Sequence, residues 1–246
     1  MSELRVIGLE GLPEIGAGDD LAAELSQAAE RAGGLEDGDV VVVAQKVVSK
    51  AEGRTISLRD VVPSRSALSI AVDHDPRQLE VILREAARVV RTRPPLVIAE
   101  TSHGFVCASA GVDASNAPGP ETLVLLPDDP DGSAAQLRTR LEDLSGRRLA
   151  VLVTDSFGRA WRQGTTDVAI GAAGLTVLLD LRGVRDPAGY ELHATTIAVA
   201  DEIAGAAELV MGKTARVPAA IVRGLELAGE GKARDLVMPP ERDLFR

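Results

Sequence analysis

Aromatic residues are nearly missing from this chain: three Phe, one Tyr and one Trp make up 2% of 246 residues. Proteins that hold single-stranded nucleic acid stack bases on such side chains, and those that hold duplexes release counterions with a net basic surface. With 27 basic against 37 acidic residues and a formal charge of -10, the chain has neither, and nucleic acid is not expected as a partner. An anionic ligand would need locally gathered cations or a bound metal, because the overall field opposes it.

Cysteine is almost absent too. Cys107 stands alone, which excludes an intrachain disulfide, and its place in Phe105-Val106-Cys107-Ala108 is that of a small buried hydrophobe. The three histidines, His74, His103 and His193, are scattered, and no Cys/His spacing suits zinc. No Gly-x-Ser-x-Gly elbow anchors a hydrolase triad. Apolar runs break within about ten residues, short of the roughly twenty that cross a bilayer, so no membrane partner is expected. The start, residues 1–5, has no basic stretch or apolar block of a secretory signal, and with the lone Cys this points to the cytoplasm.

What remains is an alternation of short apolar segments with longer stretches of helical period, the pattern of a mixed α/β (α+β) protein. The length suits one compact domain over residues 1–246. Strands are expected at 5–9, 40–44, 96–100, 105–108, 123–126, 149–154, 168–172, 176–181 and 219–222, most of them Val-, Ile- or Leu-rich and buried on both faces. Helices are expected at 20–32, capped by Asp19 or Asp20 and ended by Gly33-Gly34, and at 75–90, where Asp75 caps and Pro76 fills the first turn. Two more are expected at 133–144 and 195–211, while 53–65 and 113–121 read as irregular.

Gly212-Lys213-Thr214 imitates the end of a P-loop, but the glycine required five residues earlier is Ala207. The approach is also that of a helix C-terminus rather than of a strand leading into a helix. A lysine there remains able to meet a phosphate. More informative are two carboxylates that follow apolar strands, Asp155 between Thr154 and Ser156, and Asp113 before Ala114-Ser115-Asn116. Strand ends are where α/β proteins gather ligand groups, and this hard-oxygen set suits Mg2+ or Mn2+. The alternative is that each Asp only bonds backbone N–H groups in a turn.

Several segments together resemble the coenzyme F420:L-glutamate ligase (F420-0 gamma-glutamyl ligase) family: Gly11-Leu12-Pro13 with Gly18-Asp19-Asp20-Leu21, and Asp37-Gly38-Asp39-Val40 leading to Lys46-Val47-Val48-Ser49-Lys50-Ala51-Glu52-Gly53. Ala110-Gly111-Val112-Asp113-Ala114-Ser115-Asn116, Thr154-Asp155-Ser156-Phe157-Gly158-Arg159 and Asp180-Leu181-Arg182-Gly183 follow in the family's order. The resemblance implies a GTP-dependent ligase that joins L-glutamate to a carboxylate of coenzyme F420-0, with Mn2+ or Mg2+ as divalent cations, two of them, and K+ as a further candidate. Asp113 and Asp155 would then be catalytic, and Asp113, Asp155 and Ser156 would be metal ligands. Gly11, Leu12, Pro13, Glu14, Gln45, Lys46, Lys50 and Asn116, with Gly212 and Lys213, would contact the nucleotide. The implied assembly is an intertwined homodimer with mixed sheets not shared by common nucleotide enzymes. One departure is Lys213, where archaeal relatives tend to carry a Gln that looks like a ligand of the second metal. Some bacterial relatives are fused to a reductase-like domain; this chain is expected to be the ligase alone. Two rival readings stand beside this one: a related gamma-glutamyl ligase with another carboxylate acceptor, and a catalytically silent nucleotide-binding protein.

Overall fold

The computed structural model describes residues 3–244, so both tips of the expected 1–246 domain, residues 1–2 and 245–246, lie outside the described residues. The chain folds around a five-stranded sheet of β1 (Arg5–Gly8), β2 (Val40–Ala44), β8 (Ala150–Gly158), β9 (Thr165–Ala173) and β12 (Ala219–Arg223), in the order β1-β12-β2-β8-β9. β2 and β8 run parallel, and β12 is antiparallel to both β1 and β2, so β1, β2 and β8 point the same way. Strands with apolar residues at every position need cover on both faces. On one face α1 (Leu21–Arg31) and α5 (Pro130–Ser145) enclose Val41, Val43, Val151 and Val153; on the other α6 (Val199–Met211) encloses Val42, Leu152 and Ala220. Gly171 lets α5 approach, since a Cβ there would lie 2.1 Å from the Pro130 carbonyl oxygen.

A smaller region packs beside the sheet. It holds α3 (Arg65–Ala71) and α4 (Pro76–Glu85) against β4 (Ala86–Arg93), β5 (Leu96–Thr101) and β6 (Val106–Ala108). A ribbon of β3 (Thr55–Ser57) and β7 (Thr122–Val124) completes it. Among the described residues no helix is long and apolar enough to cross a membrane.

The mixed α/β class and seven of the nine expected strands are present in close register, including 5–9, 40–44 and 219–222. Asp20 caps α1 through the Ala23 amide and Asp75 caps α4 through the Arg77 amide. Several elements differ. The helix expected over 75–90 stops at Glu85, because Val89, Val90 and Thr92 are β-branched and Pro94-Pro95 turns the chain into a hairpin with β5. The strand expected over 176–181 is ordered as a strand only at β10 (Leu179–Asp180), paired with β11 (Thr196–Ile197), so α6 begins at Val199 rather than at 195. Helices α2 (Gln45–Ala51) and α3 were not expected, and the region read as irregular over 53–65 contains β3 and a 3-10 turn at Leu58–Asp60. The strand expected to end at 154 continues to Gly158, so Asp155 lies inside a strand and not in a turn after one.

Candidate active site

Because β1, β2 and β8 share one direction, the loop after Gly8, the helix after Ala44 and the last third of β8 all reach the same edge of the sheet. The antiparallel β9 and β12 begin there, bringing Asp167 and the segment that follows Gly212. The first loop carries Gly11, Leu12, Pro13 and Glu14; Gly11 has φ of 73° and its carbonyl accepts a 3.2 Å hydrogen bond from Arg31. Helix α2 carries Gln45, Lys46 and Lys50. Gln45 is buried and donates through Nε2 to Ser49 Oγ and the Leu125 carbonyl. Lys46 and Lys50, four residues apart, share a helix face. Lys50, 7% exposed, is ion-paired with the outward-facing Glu14, which ties the first loop to the helix.

Asp113 comes from the smaller region, in the stretch between the 3-10 turn Ser109–Gly111 and β7, where it forms a lone bridge with Val124. Its Oδ1 accepts the Ser115 N–H at 2.6 Å, the Asx turn expected of such a residue. Its Oδ2 lies 2.7 Å from Lys46 Nζ, which also donates to Ser115 Oγ at 2.5 Å. Burial works to raise the Asp113 carboxyl, but Lys46 and the Ser115 amide outweigh it and hold the group below its ordinary range. Asn116 adopts φ of 55°, a left-handed conformation that Asn tolerates, and is exposed beside this turn.

Asp155 is in the opposite condition. Its carboxylate accepts a hydrogen bond from the Ser156 amide at 2.9 Å, and among the described residues no lysine or arginine is ion-paired with it. Burial above all raises its carboxyl to about 6; the Ser156 amide and Lys46 oppose that rise, and the charges of Asp113 and Asp167 add to it. The nearby Cys107 thiol is pushed up to about 12 by burial and by Asp155, so it stays protonated and is the small buried hydrophobe expected.

Strand alternation divides the remaining groups. Along β8, Val151 and Val153 join the α1/α5 core and Phe157 packs against it, so Asp155 belongs to that face. Leu152 joins the α6 core, which assigns Thr154 and Ser156 to the other face. Opposite them in the β8/β9 register Ser156 faces Asp167, and the Ser156 hydroxyl donates to the Asp167 carboxylate. Thr154 Oγ1 donates to the same carboxylate at 3.2 Å, and the Glu208 carboxylate accepts the Asp167 N–H at 3.1 Å. Gly212 caps α6 with φ of 57°, and Lys213 directly after it donates to Ser156 Oγ at 2.5 Å.

The structure therefore brings Lys46, Asp113, Asp155, Ser156 and Lys213 to one edge, with Lys50 and Glu14 linked through α2. Asp167, Thr154 and Glu208 join it without having been singled out as site residues. A carboxylate that meets a serine hydroxyl across a hairpin could be found only from the register of β8 against β9, which includes a bulge near Thr154.

Among the described residues no three His, Cys, Asp or Glu side chains close around a point as a preformed metal cage. A catalytic magnesium-type site does not need one, since it commonly uses one or two carboxylates and completes its shell with phosphate oxygens and water. Asp155, half-buried near a second carboxylate and lacking an ion-paired cation among the described residues, fits one divalent cation shared with Asp113. A second cation on Ser156 does not fit, because that hydroxyl is already held between an ammonium and a carboxylate.

The model of the F420-0:Gamma-glutamyl ligase family matches residues 11–224. The chain is 45% identical to the coenzyme F420:L-glutamate ligase of Methanothermobacter thermautotrophicus over 99% of each chain. It is 47% identical to the protein of that name from Methanopyrus kandleri over the full length of both, and 41% identical to that of Methanocaldococcus jannaschii over 99% of this chain and 97% of the other. The chain is an enzyme of the ligase class, with its candidate site at one end of a mixed sheet. It belongs to the F420-0:Gamma-glutamyl ligase family.

Proposed function

We propose that the chain is a GTP-dependent coenzyme F420-0:L-glutamate ligase, adding glutamate by an amide bond and, in longer products, further gamma-linked glutamates. The observation that carries this reading is the half-buried Asp155, ion-paired with no lysine or arginine among the described residues, beside the Lys46-bound Asp113, at the sheet edge reached by the segments expected to touch a nucleotide. Ligase membership of the family supports it.

A carboxylate does not condense with an amine at neutral pH, because the departing group would be oxide. Phosphorylation of the acceptor carboxylate by GTP to an acyl phosphate supplies a better leaving group, and the glutamate amine then displaces phosphate to form the amide. Such chemistry depends on alignment and on neutralising phosphate charge. Asp113 and Asp155 would hold a divalent cation, which when bound supplies positive charge against phosphate oxygens. Lys46 and Lys50 add two ammoniums from one helix face, each already oriented by a carboxylate, Asp113 and Glu14. The loop 11–14, Gln45, Asn116 and the Gly212-Lys213 turn would border the nucleotide. Residues 1–246 would act as one ligase domain, as a homodimer in the cytoplasm.

The test is mass spectrometry of F420-0 incubated with the protein, GTP, Mn2+ and glutamate. One or more glutamate additions that need GTP and stop with excess chelator are expected. No adduct with any acceptor would refute the ligase, and equal rates with ATP would refute the base preference. A product formed only with another carboxylate would favour the related-ligase alternative, and nucleotide binding without turnover the silent one.

A further inference from the structure

We propose that this enzyme works with a single divalent cation per active site, and that the Lys213 ammonium is a built-in replacement for a second. The inference rests on the proposed metal role of Asp113 and Asp155. It departs from the two cations that the family resemblance implies.

Asp155 and Ser156 are adjacent in sequence and therefore point to opposite faces of β8. The groups of the site divide accordingly into two sets, each with its own lysine. On the α1/α5 side stand Asp113 and Asp155, two carboxylates, with only Lys46 in ion-pair contact with one of them. That set is one negative charge in excess, carried by the half-buried Asp155.

On the α6 side, Asp167 is buried and receives hydrogen bonds from Thr154 and Ser156, while Lys213 stands on the far side of the Ser156 hydroxyl. Glu208 accepts the Asp167 N–H and is a second carboxylate of this set, while between Asp167 and Lys213 themselves one carboxylate faces one ammonium. The hydroxyl between them is committed in both capacities, donating its only proton to Asp167 and accepting one from Lys213. An ammonium has three donors and no lone pair, so it cannot ligate a cation. A divalent ion on Ser156 would have to sit against that ammonium. Lys213 instead presents its remaining donors where the second ion would stand, and an ammonium there neutralises a phosphate oxygen as a point charge.

Lys213 reaches this place by local structure. Gly212 ends α6 with φ of 57° and an extended ψ, a backbone that favours glycine, and turns the chain out of the helix, so the next side chain runs toward the β8/β9 hairpin. The side chain is exposed and no carboxylate is ion-paired with it among the described residues, so a substitution there removes no buried ion pair.

The decisive measurement is the number of Mn2+ ions bound per protomer, counted by the electron paramagnetic resonance of free Mn2+. The protein would be saturated with a GTP analogue carrying a β,γ-imido bridge, with the ion held by free analogue subtracted. Wild type is expected to bind one ion, and Lys213→Gln, which puts a neutral amide oxygen in the same place, two. Two ions in wild type would overturn the inference and leave the ligase reading intact. One ion in Lys213→Gln would also overturn it, because Lys213 would then not be what excludes the second. No bound ion in wild type, with Mn2+-independent amide formation, would remove the metal from the proposed function itself. Circular dichroism of the variant checks that it is folded.

Discussion

Asp155→Asn removes one charge from the half-buried C-terminal end of β8 while keeping the size of the side chain and an acceptor for the Ser156 amide. In wild type, burial and two neighbouring carboxylates raise the Asp155 carboxyl from 3.8 to about 6. Holding it ionised in the folded protein therefore costs up to about 3 kcal/mol. Below about pH 4 the group is protonated in both folded and unfolded chains and the cost is absent. Between about pH 4 and 6 the folded chain binds more protons than the unfolded one, so stability falls as pH rises; above about pH 6 the full cost is present. Metal-free Asp155→Asn should accordingly exceed wild type by about 1–3 kcal/mol at pH 8 and match it near pH 4. Its ligase activity should be lower by at least about a hundredfold, as expected when a ligand of a catalytic metal is lost. Urea unfolding with chelator at both pH values, paired with turnover in Mn2+, reads the two effects separately. A variant less stable than wild type at pH 8 would refute the burial argument. Near-wild-type turnover with unchanged Mn2+ dependence would refute the metal role and leave Asp155 as a residue that bonds a backbone amide.

Lys46→Met should weaken GTP binding by about ten- to a hundredfold in calorimetry, the worth of a lost charge-assisted hydrogen bond, and unchanged affinity would exclude Lys46 from the nucleotide site. Arg223→Met leaves the buried Asp39, 1% exposed and 2.8 Å from the guanidinium, without its cation. That pair lies at the sheet end away from the active site, so stability should drop by about 3–5 kcal/mol with kcat unchanged at a temperature where the variant is folded, and a drop below about 1 kcal/mol would show the pair to be dispensable. A homodimer is expected in solution, and light scattering at micromolar concentration that gave only the mass of one chain would contradict it.

The central sheet was legible because Val40–Ala44, Ala150–Val153 and Ala219–Val222 are unbroken apolar runs of strand length, a pattern that only burial on both faces explains. Residues 86–93 were not, since Asp75 and Pro76 open a genuine helix and the β-branched Val89, Val90 and Thr92 come only after the strand has begun at Ala86. What decides there is hairpin pairing with β5 across the Pro94-Pro95 turn, which depends on the partner strand and not on residues 86–93 alone. Helix α2 escaped for the reverse reason: Val47 and Val48 lower its intrinsic propensity, and it is stabilised by packing of Val48 under the sheet edge. Asp113 and Asp155 stood out from the residues around them, whereas Asp167 did not, because its role depends on the register that sets it opposite Ser156.

That register also explains how two adjacent residues take unlike partners. Asp155 and Ser156 read in sequence as one oxygen-rich patch, and a patch suggests a single shared ligand shell. In a turn this would hold, since successive side chains there can converge. In a strand it fails: the extension of β8 to Gly158 sends Asp155 toward Lys46 and Asp113 and Ser156 toward Asp167 and Lys213. Both sets open at the same sheet edge, so a triphosphate lying across the end of β8 would meet a carboxylate-held cation on one face and an ammonium on the other. The continuation of one strand by four residues beyond its expected end is thus what divides an acidic motif between the two faces of β8.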